Sequence, residues 1–394
     1  MRIAILTSGI LPVPAVNGGA VENHIDFYLK YNNEHRLHDM TVFSVWDDKI
    51  EGHPALLSEV NHYKYINTNS KYAKICKNLH EHIYGRGYYH RTIEYYFRKA
   101  WKKLRKEHFD IILLDNRPGY AVKMSVPDKT KLFVYLHNDL LNNRTNGNQI
   151  IYDKATRILT VSNYISKCVR TIEPNDTKCF TILNGIDLNA FSPDINTTIT
   201  RQQLGFSDND FIIVFSGRIT KEKGVSELIE AIIRLKNHSN IKLLIIGSPF
   251  YGDTANEDEF VRFLKQQATT IKDRISFTGF IPYKQMPQYL KLSDLAVIPS
   301  LWDDPCPNTV LEAQAMGLPI ITTRRGGIPE EVTEKNAILL ETDKFFIDNL
   351  TSAIKDLYEH PEKRKQMGEA SLTNSKYYNE QRYAEDFFRA FENI

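Results

Sequence analysis

The chain has 394 residues, 42% of them hydrophobic and 25% charged, with a formal net charge of +2. This is the composition of an ordinary globular protein, long enough to bury two cores, and its charge balance makes no case for nucleic acid as a partner. No apolar run approaches the roughly 20 residues of a membrane-spanning helix. Met1-Arg2 leads straight into an apolar run with no signal-peptide pattern. The four cysteines (Cys76, Cys168, Cys179, Cys306) lack C-x-x-C or metal-ligand spacing and are expected to be free thiols in a reducing compartment.

Along the chain, short apolar runs alternate with helical patterns. In the first half they are Ile3–Thr7, Met40–Val45, Tyr63–Ile66, Phe109–Leu114, Lys131–Leu136, Arg157–Val161 and Cys179–Leu183. In the second half they are Phe211–Ser216, Ile241–Ile246, Ile275–Thr278, Leu295–Ile298, Ile320–Thr322 and Ala337–Leu340. Near-continuous apolar strands between helices predict parallel sheets covered on both faces. There are too many runs for one open sheet, so two α/β domains are expected, residues 1–190 and 205–375. The seam is placed in Asp187–Asp208, rich in Asn, Ser, Thr, Asp and Pro. A last helical pattern within 376–394 carries Tyr377, Tyr383, Phe387 and Phe388 on one stripe.

Several loops carry chemistry. After the first strand, Gly18-Gly19 stands immediately before a helix; it is not G-x-G-x-x-G. It either lets a diphosphate approach the backbone or simply makes a turn. Lys71 to His108 holds eleven Lys/Arg against three Glu, interleaved with Tyr72, Tyr84, Tyr88, Tyr89, Tyr95, Tyr96, Phe97 and Trp101. Such a stretch suits an anionic membrane surface or lipid-pyrophosphate acceptor, or equally a pair of surface helices whose aromatics enter the core. His137 ends the run Lys131–Leu136, with Asp139 close enough in sequence to orient it. Gly217-Arg218-Ile219-Thr220-Lys221-Glu222-Lys223-Gly224 follows the first strand of the second half. Its Arg218 fork and Lys223 point charge can together neutralise a diphosphate.

The segment from Pro299 to Glu331 combines most. A loop with Asp303, Asp304, Pro305 and Pro307 leads to Asn308 or Thr309 as the cap of a helix, with Glu312 in its first turn. A helix N-terminus beyond the carboxyl end of a strand is an anion site. Asp304 and Glu312, eight apart, can hold polyhydroxylated groups beside it. A nucleotide-diphosphate sugar satisfies both demands; a capped helix with nearby acids is the plainer alternative.

This segment resembles the acidic motif of the retaining family 4 glycosyltransferases. The G-R-x(4)-K-G run, Ser162-Asn163, Asn184-Gly185-Ile186-Asp187, Thr278-Gly279-Phe280-Ile281-Pro282 and Gly326-Gly327-Ile328-Pro329-Glu330 match that family in order along the chain. The branch it resembles makes surface or capsular polysaccharide or is of spore-coat type. The resemblance implies the GT-B fold, two Rossmann-like doubly wound domains facing across a cleft, with residues 376–394 crossing back to the first domain. It implies transfer of a hexose from a nucleotide-diphosphate sugar, UDP favoured, to a glycan or lipid-linked acceptor. The missing signal-peptide pattern and spanning run, with the basic stretch, lead us to expect it in the cytoplasm or on the inner face of the membrane.

No cofactor or metal is implied. Arg218, Lys223 and the helix end at Asn308 and Thr309 would carry the countercharge, and no D-x-D triplet ends a strand. Carried over residue by residue, Gly18 and Gly19 meet the donor diphosphate, Glu312 the ribose hydroxyls, the backbone of Ile281 the nucleobase, and His137 and Asp304 the transferred sugar. Two departures from the family are visible: Asp304 is one methylene shorter than the usual Glu, and Pro307 lacks the N–H that a Gly supplies there. They keep open a degenerate sugar-nucleotide-binding or coat protein; an epimerase on the same fold is a further alternative.

Overall fold

The computed structural model describes residues 1–76, 91–249 and 259–392. It divides into two compact units, Met1–Asn184 with Gln381–Ile394, and Gly185–Glu380. The division at Asn184 falls just ahead of the expected seam, and the polar stretch after Asp187 belongs to the second unit. Its apolar members explain this, because Phe191 is buried and packs on the Tyr283 ring.

In the first unit a seven-stranded parallel sheet has the order β3-β2-β1-β4-β5-β6-β7. These strands are β1 (Arg2–Leu6), β2 (Asp39–Val45), β3 (Asn61–Ile66), β4 (Ile111–Asp115), β5 (Lys131–Leu136), β6 (Arg157–Thr160) and β7 (Cys179–Thr181). The second unit has six parallel strands, β10-β9-β8-β11-β12-β13. They are β8 (Phe211–Ser216), β9 (Ile241–Ile246), β10 (Ile275–Gly279), β11 (Leu295–Ile298), β12 (Ile320–Thr323) and β13 (Ala337–Leu340). Every apolar run became a strand. The central ones, β4 and β11, are buried along their whole length, as strands covered by helices on both faces must be.

Both sheets are doubly wound. Strand order reverses between β1 and β4 in one and between β8 and β11 in the other, and ligands of such sheets bind at the carboxyl ends beside that reversal. Register fixes which loops meet there. Leu6 pairs with Leu114, so the chain after Leu6 rises beside Asp115. Val214 pairs with Ala296, which sets the loop after Ser216 against the one after Ile298.

The chain ends in the first unit. Its last helix, Glu380–Arg389, buries Tyr383, Phe387 and Phe388. Phe387 stacks on Tyr28 with centroids 3.8 Å apart, and Tyr383 OH lies 3.1 Å from Tyr135 OH. Arg382 donates to the carbonyls of Leu183 (2.9 Å) and Asn184 (2.7 Å). Tyr377 does not belong to this stripe. It precedes the helix, in a short 3-10 turn, and is 56% exposed. The helix Arg91–Leu104 accounts for part of the basic, aromatic stretch: Tyr96, Phe97, Ala100 and Leu104 enter the core while Arg98, Lys99, Lys102 and Lys103 face solvent. Tyr84, Tyr88 and Tyr89 lie outside the described residues. Among the described residues no helix is long and apolar enough to cross a membrane.

Candidate active site

In the second domain the site is built from loops locked to one another at the sheet's carboxyl edge. Gly224, at φ 72°, begins the helix Val225–Arg234. A Cβ there would stand 1.9 Å from the Pro299 carbonyl oxygen, so only glycine lets the loop after β8 meet the loop after β11. The Leu301 amide donates to Glu222 O (2.8 Å), stitching the same two loops. Gly217 N–H reaches Ile246 O (3.0 Å) and Gly247 N–H reaches Gly279 O (2.9 Å), which ties in the loops after β9 and β10. The loop after β12 closes the set. Gly327 N–H donates to Asp304 O (2.8 Å), and Arg325 donates through Nε and Nη2 to Leu301 O (3.1 and 2.8 Å).

On this scaffold Lys223 Nζ pairs with the Asp304 carboxylate and sits 5.6 Å from the centre of the Trp302 ring. Asp304 is buried, so the pair is a shielded one. Arg218 is exposed, and among the described residues no partner holds its guanidinium. Two polar atoms beside Lys223, Thr220 Oγ1 and Trp302 Nε1, are buried without a hydrogen-bond partner. Sequence reasoning passed over both; a Trp next to the acidic pair was the available signal.

The helix Asn308–Ala315 follows. Pro307 is its N-cap, with no side-chain hydrogen bond, so neither Asn308 nor Thr309 caps it as expected; Asn308 is the first helical residue. Because the helix starts earlier than expected, Glu312 stands in its second turn and not its first. The amide of Thr309 has no acceptor among the described residues, one of the donors a helix start leaves open. Glu312 is buried, no described side chain donates to it, and burial pushes its carboxyl up to about 7.

Behind this helix a polar web fixes the loop. Gln314 Nε2 donates to Glu331 O (3.0 Å), Asn336 Nδ2 to Gln314 Oε1 (2.9 Å), and the Cys306 thiol to Glu331 Oε1 (3.2 Å). Ile281, in the loop after β10, makes no backbone hydrogen bond among the described residues.

The first domain has a polar centre of its own. Gly19, at φ 106°, is the N-cap of the helix Ala20–His35; a Cβ on it would lie 2.2 Å from Glu22 Oε2. The Gly18-Gly19 turn is therefore packed on a carboxyl group. Burial pushes Glu22 up to about 8, so it carries its proton at neutral pH and presents no charge to an anion near the loop. Asp26, pushed up to about 7 by burial, accepts from the Ala15 amide (2.8 Å) and holds the same loop from below.

His137, just beyond β5, has its Nε2 3.2 Å from Asp115 Oδ1, with side-chain exposures of 6% and 0%. The imidazole is tilted against the Tyr135 ring (centroids 4.3 Å) and lies 6.4 Å from the His24 ring. Asp139, the neighbour suggested by sequence, hydrogen-bonds through its backbone carbonyl to Asn142 instead (2.7 Å). Asp115 was missed because it lies 22 residues from His137. An acid closing a wholly apolar central strand was the signal.

Residues 196–373 match the profile of the family described as Glycosyl transferases group 1. Over 348 residues, 84% of this chain and 77% of its own length, the Bacillus subtilis (strain 168) protein named "Putative glycosyltransferase YtcC" is 30% identical. The chain belongs to the group 1 glycosyltransferases. A second relative, Spore coat protein SA of the same strain, is 28% identical over 411 aligned positions, 100% of this chain and 99% of the relative. Among solved structures, Anabaena HepE in complex with UDP and glucose superposes over the full length of both chains with a TM-score of 0.74 at 19% identity. At that identity the likeness bears on fold, and the fold is GT-B, with two Rossmann-like α/β domains. In this glycosyltransferase Arg218, Lys223 and Asp304 thus stand on interlocked loops of the second domain.

Proposed function

We propose that this glycosyltransferase moves a hexose from a UDP-sugar to a glycan or lipid-linked acceptor, with retention of anomeric configuration and without a metal ion. The observation that carries the reading is the cationic end of the second sheet. Among the described residues Arg218 is exposed and unpartnered, Lys223 is balanced by a single carboxylate, and the Thr309 amide is open. An incoming diphosphate supplies the charge these groups lack. It takes Lys223 over from Asp304, and the released carboxylate accepts from a hydroxyl of the transferred sugar. Glu312 accepts from the ribose, and the free backbone at Ile281 meets the base.

The reaction that follows needs little covalent chemistry from the protein. Arg218, Lys223 and the helix start stabilise the negative charge growing on the leaving diphosphate. No carboxylate is committed as a nucleophile, which favours transfer on the face the diphosphate leaves. The UDP preference draws support from HepE, whose crystals contain UDP and glucose. Catalysis in the first domain is assigned to His137, and the protonated Glu22 leaves the Gly18-Gly19 loop free to meet an anion.

The exposed Arg98, Lys99, Lys102 and Lys103, next to a 62% exposed Tyr72, support a peripheral contact with an anionic membrane, on the cytoplasmic face. The protein should co-sediment with anionic liposomes at low salt and be released at high salt; no co-sedimentation refutes that contact. The transfer reading itself is tested by incubating the protein with a UDP-hexose panel, acceptor glycans and EDTA, then reading the new anomeric proton by NMR. An α-linked product from an α-linked donor supports it. Inversion, a metal requirement, or a glycosyl adduct trapped on Asp304 contradicts it, and binding without transfer to any acceptor returns the degenerate reading.

A further inference from the structure

We infer that Asp115 is the positioning residue of the first domain, holding the His137 imidazole by its Nε2 edge so that Nδ1 is presented as a hydrogen-bond acceptor to a substrate hydroxyl. The inference rests on the reading of His137 as a substrate-contacting residue. Asp115 ends β4 at the point where the first sheet reverses its strand order, the place where a doubly wound sheet puts its ligands. It is fully buried, and neither carboxylate oxygen completes a hydrogen bond. A buried carboxylate in that condition costs stability unless a neighbour compensates it.

The groups that face it are few. Glu22 and Tyr28 come from the helix Ala20–His35, Tyr96 from Arg91–Leu104, Tyr383 from the last helix, and Tyr135 pairs with it in register on β5. The phenols of Tyr135 and Tyr383 are engaged with each other, and that of Tyr96 with Phe43 O and Thr7. His24 lies further along, against the His137 and Tyr383 rings. Among the described residues His137 is the one group within ion-pair reach of Asp115, at 3.2 Å.

That contact has a direction. Nε2 is sealed from solvent and does not yet make an aligned hydrogen bond, as is common for a catalytic pair before substrate tightens it. A carboxylate facing Nε2 keeps the ring proton there and leaves the lone pair on Nδ1. The imidazole is thereby fixed as an acceptor, suited to a sugar hydroxyl and unsuited to a phosphate oxygen, which has no proton to give. This arrangement explains why a buried acid ends a strand otherwise made of Ile and Leu.

The test uses the full chain with 15N-labelled histidine. In the wild-type protein, long-range 1H–15N NMR should show His137, assigned by its disappearance in His137→Gln, with the proton on Nε2 and an unprotonated Nδ1; a proton on Nδ1 overturns the inference without need of any variant. Asp115→Asn should shift that signature toward a mixture of tautomers and lower kcat by about 10²-fold, the order expected for a misoriented reacting group. In a His137→Gln background the same change should add almost nothing, since the two act as a unit. An unchanged His137 signature in Asp115→Asn, or fully additive losses in the double variant, overturns the positioning role. Near-normal transfer by His137→Gln alone overturns the substrate-contact reading on which it rests, while the wild-type spectrum still decides the pairing.

Discussion

The two domains share one topology and hold charge in opposite ways. At the reversal point of the second sheet, cations outnumber their partners among the described residues: Lys223 is paired with Asp304 while Arg218 and the Thr309 amide stay open. At the same point of the first sheet three acidic side chains are sunk beneath the loops, Glu22, Asp26 and Asp115, with His137 against the last. The arrangement in the second domain suits the proposed diphosphate. The one in the first domain suits oriented hydrogen bonds and is nearly neutral where Glu22 keeps its proton. The same fold thus carries a cationic strand end in one domain and a sunken acidic one in the other, and the difference lies in loop residues and strand ends.

The sharpest way to break this comparison is to remove the second domain's cations. Arg218→Ala and Lys223→Ala should each lower transfer by about 10³-fold, the scale of losing a preorganised countercharge. Melting temperature separates the two. Arg218 has no partner to lose among the described residues, whereas Lys223→Ala leaves a buried Asp304 uncompensated and should cost about 1–3 kcal/mol. Near-normal turnover in either variant would refute the diphosphate assignment.

A change of similar kind in the first domain should act on stability instead. The folded-state value of Glu22, about 8, stands above its ordinary 4.5, so folding takes up a proton. The stability this contributes is full below pH 4.5 and is lost as pH rises toward 8. Glu22→Gln cannot ionise, and urea unfolding of the variant should lack that decline, which amounts to about 1.4 kcal/mol for each pH unit between the two values. Parallel pH profiles for the two proteins would mean that the carboxyl is not sunk as described.

Glu312 should show the effect in binding. Its carboxyl, pushed up to about 7, must be ionised if both its oxygens are to accept from the ribose hydroxyls as proposed. Affinity for UDP-glucose, whose diphosphate stays ionised throughout, should fall up to about tenfold per pH unit below 7, and Glu312→Gln should bind weakly with no such slope. The smallest effect belongs to Asp304→Glu, which restores the usual side-chain length of the family. It should keep the pair with Lys223 and change kcat by less than about tenfold, a change of order 1 kcal/mol; a large loss would show that the loop has closed in around the shorter acid.

Much of the fold was legible because each strand is a local apolar run and parallel sheets demand just that pattern. The second domain's candidate residues could be picked out for a related reason: Arg218 to Lys223 and Asp304 to Glu312 are short contiguous segments, the first on one loop and the second running from a loop into the helix that follows it. Local chain direction was harder to read. Pro307, taking the N-cap position, displaced Asn308 and Glu312 along their helix, and the turn at Lys376–Tyr378 swung Tyr377 out to solvent. The first domain's centre was least visible, since Glu22, Asp115 and His137 come from three separate elements and meet only through the register of β1, β4 and β5. Asp115 looks, in sequence, like the polar residue after a strand.

The most direct test of the central claim, a donor site in the second domain held by protein cations alone, is calorimetric titration of UDP-glucose into the protein in EDTA, beside Lys223→Ala. The account predicts binding by the wild-type protein unchanged by the chelator and a loss of about 10²-fold or more in affinity for the variant, as expected when a charge-assisted contact to phosphate is removed. Binding that appears only when Mg²⁺ is added, or that survives in Lys223→Ala, would contradict it.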